Sequence, residues 1–145
     1  MVRMRKVIHN ELDTREFGIE LAKELKTGDI IALIGDLGTG KTTLTKSIAE
    51  GLGITEMITS PTFTIVQEYT EGRLPLYHFD VYRICDLEEM YELGYEEYFF
   101  GQGVCVVEWA DQIMELIPDE SIIIRIEYGE TEDERIYHIE KGNKR

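Results

Sequence analysis

Apolar residues along the chain recur with two periods. Over Arg3–His9, Arg and Lys are interleaved with Val and Ile, which predicts a first strand. Phe17, Leu21 and Leu25 then recur at helical spacing, predicting a helix that begins near Asp13/Thr14 and stops at Thr27-Gly28. Ile30-Ile31-Ala32-Leu33-Ile34 is apolar throughout and reads as a strand buried on both faces. Leu44, Ile48 and Leu52 return to helical spacing over Thr42–Leu52, with Gly51 and Gly53 as the stop. A polar loop follows over Ile54–Pro61, leading to Thr59-Ser60-Pro61-Thr62.

Phe63–Tyr69 and Leu74–Asp80 read as strands around the turn Glu71-Gly72-Arg73. So short a connection leaves no room for a parallel crossover, so the pair is an antiparallel hairpin. Asp86 caps a helix through Leu93, and Gly94–Phe99 makes a second short helical turn. Val104-Cys105-Val106-Val107 is apolar on both faces and predicts a central parallel strand, ending at Glu108-Trp109. Ala110–Ile117 reads as helical until Pro118. Ser121–Tyr128 and Glu134–Glu140 alternate as a C-terminal hairpin. This order predicts an α/β sandwich with a mixed parallel/antiparallel sheet, as one domain over residues 1–145. Ligands in such sheets lie beyond the carboxyl ends of the parallel strands.

Between the apolar strand and the second helix, Gly35-Asp36-Leu37-Gly38-Thr39-Gly40-Lys41-Thr42 spells G-x-x-x-x-G-K-T. Glycines let backbone N–H groups turn inward around phosphate oxygens, and a helix N-terminus adds its positive dipole end. The flanking strand and helix make an ordinary glycine turn a poor account of eight positions in register. The expectation is a nucleoside triphosphate site running from Asp36 to Thr43. Lys41 would reach the β- and γ-phosphates, and the Thr42 hydroxyl would ligate Mg²⁺.

Hydrolysis needs an acidic partner as well. Glu108 ends a doubly buried strand, which favours a metal role. Asp80 ends a less apolar one and could equally cap the following turn. His78 and Arg83 flank Asp80 and could touch phosphate or form surface pairs of little worth. Trp109 could be a core residue or an aromatic lid. Ser60-Pro61-Thr62 could be a switch loop sensing the γ-phosphate, or an ordinary turn.

Charge changes the picture of partners. Fifteen basic residues stand against 29 acidic ones, a net charge of −14, which disfavours direct binding to a nucleic-acid backbone. No apolar stretch is long enough for a membrane span and the N-terminus lacks a signal-peptide core, so cytoplasmic residence is expected. Cys85 and Cys105 are too few for a disulfide framework, and the histidines show no metal-ligand spacing.

Five segments together resemble the TsaE (YjeE) ATPases of bacterial tRNA threonylcarbamoyladenosine synthesis. They are Gly-Asp-Leu-Gly-Thr-Gly-Lys-Thr-Thr at 35–43, Ser-Pro-Thr-Phe at 60–63, His-Phe-Asp-Val-Tyr-Arg at 78–83, Glu-Leu-Gly-Tyr-Glu-Glu-Tyr at 92–98 and Val-Glu-Trp-Ala at 107–110. The departures are small: Thr39 stands where alanine is commoner, and Val81 and Ile84 where leucine is usual. The resemblance implies a three-layer, P-loop NTPase-like sandwich that uses ATP and Mg²⁺. It implies docking on a TsaB–TsaD pair, with tRNA reached only through those partners. By motif position Lys41 corresponds to the phosphate lysine, Thr42 and Glu108 to the metal ligands, Thr62 and Asp80 to switch and hydrolysis positions, and Trp109 to the tryptophan beside the site. A small-molecule kinase is disfavoured because only Arg73 and Arg83 lie between the loop and Arg125. A GTPase is disfavoured because no Asn-Lys-x-Asp run is present.

Overall fold

The computed structural model describes residues 2–61 and 63–142. Strand β1 (Val2–Ile8) leads into helix α1 (Glu11–Glu24), followed by β2 (Ile30–Gly35) and α2 (Lys41–Gly51). The hairpin is β3 (Val66–Tyr69) and β4 (Leu76–Asp80), and two short helices follow, α3 (Glu88–Leu93) and α4 (Tyr95–Phe99). Then come β5 (Val104–Glu108), a 3₁₀ stretch over Ala110–Leu116, and the terminal hairpin β6 (Ile122–Tyr128) and β7 (Arg135–Lys141).

The seven strands form one sheet in the order β1-β7-β6-β2-β5-β4-β3. The central four, β6-β2-β5-β4, are parallel. The flanking pairs β1–β7, β6–β7 and β3–β4 are antiparallel. The apolar runs predicted as buried strands occupy the centre, and every residue of β5 is buried. Alternate side chains of β2 and β5 enter two cores. Ile31, Leu33, Val104 and Val106 pack under α1 and α2, while Ala32, Cys105 and Val107 pack with Phe79, Phe99 and Ile113 on the other face. Burial pushes the Cys105 thiol up, as suits a core residue with no redox task.

Three of the departures from the sequence expectation have a clear physical reason. Helix α1 starts at Glu11 because the Asn10 side chain accepts from Asp13 N at 3.0 Å, a polar cap ahead of the apolar stripe. Strand β3 begins only at Val66: Ile65 has φ of 68°, an outlier for a β-branched residue, and Phe63 is 87% exposed. The Ala110–Leu116 segment is not one helix but 3₁₀ turns broken at Ile113, where φ is −134°. Among the described residues no helix is long and apolar enough to cross a membrane.

Candidate active site

Strand β2 ends at Gly35 and α2 begins at Lys41, so the glycine-rich loop spans the carboxyl end of a central parallel strand. Gly38 and Gly40 take φ of 81° and 99°, open to glycine at no steric cost. Gly40 caps α2 without a side chain, leaving the N-terminal N–H groups of the helix to face an anion. The Lys41 side chain folds back over the loop, donating to Gly35 O at 2.6 Å and Asp36 O at 2.9 Å. Its Nζ also lies 3.9 Å from the centroid of the Trp109 ring. Burial pulls the Lys41 ammonium below the ordinary lysine range, and Glu108, Asp111, Asp80 and Asp36 oppose that shift.

Glu108 closes the other side. It is 2% exposed at the end of β5. Its Oε1 accepts from Thr42 Oγ1 at 2.9 Å, and its Oε2 accepts from Thr45 Oγ1 at 3.2 Å. The Nε2 of His78 lies 2.5 Å from the same Oε2. His78 is fully buried, and among the described residues its Nδ1 has no partner. His78 is therefore neither a phosphate contact nor a surface pair: it fixes the rotamer of Glu108.

Asp80 sits directly opposite Glu108 in the β4–β5 register. Its Oδ1 accepts from Tyr82 N at 3.0 Å, so it does cap the following turn while facing the cleft. Burial pushes its carboxyl above the usual aspartate range, and the Glu108 charge adds to the effect. Trp109 is held at φ of 62°, with its ring 4.6 Å from that of Tyr82, so it borders the cleft and is only half-buried. A cleft of about 340 Å³ gathers Lys41, Thr42, Thr43, Asp80, Glu108 and Trp109. Ser60 reaches it, with its Oγ 3.2 Å from Thr42 Oγ1. Thr62 lies outside the described residues.

The oxygens present suit a hard divalent cation. Thr42 Oγ1 and Glu108 Oε1, joined by a hydrogen bond of 2.9 Å, are the oxygens that would hold it. Asp36, Leu37 and Thr39 contribute backbone to the loop; the exposed Leu37 side chain also borders the cleft.

Three contributors escaped the sequence reading. Thr45 is the next turn of α2 after Lys41. Tyr128 donates its hydroxyl to Leu37 O, and Arg135 donates to Thr39 O at 3.2 Å from 96 residues away. No local pattern announces either contact.

The fold and this loop define a P-loop NTPase-like α/β protein. Residues 8–137 match the family described as Threonylcarbamoyl adenosine biosynthesis protein TsaE. The tRNA threonylcarbamoyladenosine biosynthesis protein TsaE of Bacillus subtilis is 50% identical over 135 residues, covering 93% of this chain and 84% of the relative. The protein of that name from Treponema pallidum is 42% identical over 123 residues, covering 85% and 90%. The crystal structure of Bacillus subtilis YdiB superposes with a TM-score of 0.82 at 43% identity, covering 98% of this chain and 87% of that one. The chain belongs to the TsaE family.

Proposed function

We propose that this chain is an ATPase that binds ATP with Mg²⁺ over Gly35–Thr42 and hydrolyses it in support of tRNA N6-threonylcarbamoyladenosine modification, acting with a TsaB–TsaD pair. The observation carrying this reading is the Thr42–Glu108–His78 chain. It sets a buried carboxylate oxygen and a helix N-terminal hydroxyl 2.9 Å apart at the mouth of a phosphate loop. Thr42 and Glu108 would hold Mg²⁺, which when bound neutralises charge on the phosphate oxygens.

The side chains have separable tasks. Lys41 exchanges its bonds to the Gly35 and Asp36 carbonyls for bonds to the phosphates, so its ammonium stays paired throughout. Asp80, whose raised carboxyl is a stronger proton acceptor than an ordinary aspartate once ionised, orients the attacking water. Trp109 packs over the cleft mouth and excludes bulk solvent. The names of the relatives support a place in the tRNA modification, and the acidic surface supports placing tRNA on the partners.

Phosphate release, measured with and without the TsaB–TsaD pair, tests the reading. We expect release that the pair stimulates. Lys41→Ala should weaken ATP binding by about tenfold or more. Glu108→Gln should keep binding within a few-fold and slow turnover by about 10²-fold. Release that the pair does not change, with no detectable association, would overturn the assignment. Full turnover in Glu108→Gln would overturn the metal role.

A further inference from the structure

The C-terminal hairpin holds the back of the phosphate loop. Tyr128 is the last residue of β6 and Arg135 the first of β7, paired across the hairpin. The Tyr128 hydroxyl donates to Leu37 O. Arg135 donates from Nε to Thr39 O at 3.2 Å and from Nη2, more loosely, to Gly38 O at 3.4 Å. The guanidinium is itself anchored, with Nη1 donating to Glu132 O at 2.7 Å and Glu134 O at 2.9 Å and the group lying 4.9 Å from the Tyr128 ring centroid. The loop also approaches this hairpin too closely for side chains. A Cβ on Gly35 would stand 2.9 Å from Ile126 O, and one on Gly38 would stand 3.1 Å from the Tyr128 hydroxyl.

Three consecutive loop carbonyls, 37 to 39, are thus tied to one rigid hairpin. In a trans peptide the C=O and the following N–H point opposite ways, so tying the carbonyls back turns the N–H groups of Gly38 and Gly40 toward the cleft that both residues line. The N–H of Thr39 closes onto Asp36 O at 3.2 Å and steadies the turn. We infer that Tyr128 and Arg135 are positioning residues that hold the phosphate loop in its anion-accepting conformation before nucleotide arrives. This rests on the ATP reading above. It makes the hairpin part of the nucleotide site, and it places a cation behind the loop of a chain with net charge −14.

The test uses the full chain with Tyr128→Phe, Arg135→Gln and Arg135→Lys, and Lys41→Ala as a reference. Tyr128→Phe keeps the ring and removes only the hydroxyl. Calorimetric titration with Mg-ATP and Mg-ADP should show both nucleotides weakened by a similar factor, about three- to tenfold, in Tyr128→Phe and in Arg135→Gln. Arg135→Lys should not rescue, because the fork is lost while the charge stays. KM should rise while kcat changes by less than about twofold, since the loop serves ground and transition states alike. The Thr39 amide, bonded to Asp36 O, should exchange faster in the nucleotide-free variants, with melting temperatures near that of the parent. ATP and ADP affinities within twofold of the parent in both variants, alongside a clear loss in Lys41→Ala, would overturn this inference and leave the ATP reading standing. Unchanged affinity in Lys41→Ala would overturn the ATP reading itself.

Discussion

A buried carboxylate survives only where donors meet it, and among the described residues Glu108 has three: Thr42, Thr45 and His78. His78 is the most consequential of them, because it orients the oxygen pair from behind. Replacing it by leucine should cost about 2 kcal/mol of stability, read from denaturant unfolding, and should lower turnover about tenfold by loosening Oε1. Unchanged phosphate release in a folded His78→Leu protein would contradict that role. Asp80 shows the opposite balance, with site chemistry opposing stability. Its folded carboxyl titrates above the ordinary aspartate value of 3.8, so the native state binds the proton more tightly than the unfolded chain. Its contribution therefore favours folding at low pH and is lost as pH rises through the window from 3.8 up to the raised value. Asp80→Asn should raise the pH 7 melting temperature by about 1–3 °C, flatten the fall of stability as pH rises above 3.8, and abolish turnover. A lower melting temperature at pH 7 would show that its bond to Tyr82 outweighs the burial. Sequence placed Glu108 and Asp80 at strand ends but left His78 open. Its burial depends on α2 and β5 closing over it, which no pattern within Leu76–Asp80 records.

At the level of elements, α2 carries Lys41 and Thr42 on its first turn, and its seat is fixed by α1. Gly18 of α1 lies so close that a Cβ there would meet Ser47 Cβ at 2.4 Å and Ile48 N at 3.0 Å. Gly18→Val should therefore destabilise by about 2–3 kcal/mol in urea unfolding and weaken nucleotide binding too, as α2 is pushed from its seat. An unfolding midpoint equal to the parent's would refute that tight crossing. Elements with one sustained period, namely β2, α2 and β5, were readable because burial repeats along them. Elements whose limits are set by contacts elsewhere were not. The chain enters β3 through the strained Ile65, whose carbonyl is tied to Asp80 N at 2.8 Å. The 3₁₀ segment begins where Trp109 is turned to positive φ beside Lys41.

For the molecule as a whole, net charge sets what it can meet alone. At −14 the isolated chain should show no tRNA mobility shift at roughly micromolar protein and about 0.1 M salt, and a shift should require its partners. Salt-sensitive tRNA binding by the chain alone would refute this. The strand–loop–helix of the glycine-rich loop, its lysine and threonine, and the buried parallel strand before Glu108 all follow from residues close together in sequence. Glycine dihedrals, helix termini and apolar periodicity act within a few positions. The partners of that loop follow from strand order. Setting β6 against β2, with β7 beyond it, brings Tyr128 and Arg135 onto carbonyls 37–39, and setting β5 between β2 and β4 joins His78 to Glu108. Local periodicity carries no record of strand order. It is fixed when two layers of helices cover both faces of one sheet, and that packing decides which distant side chains complete the site.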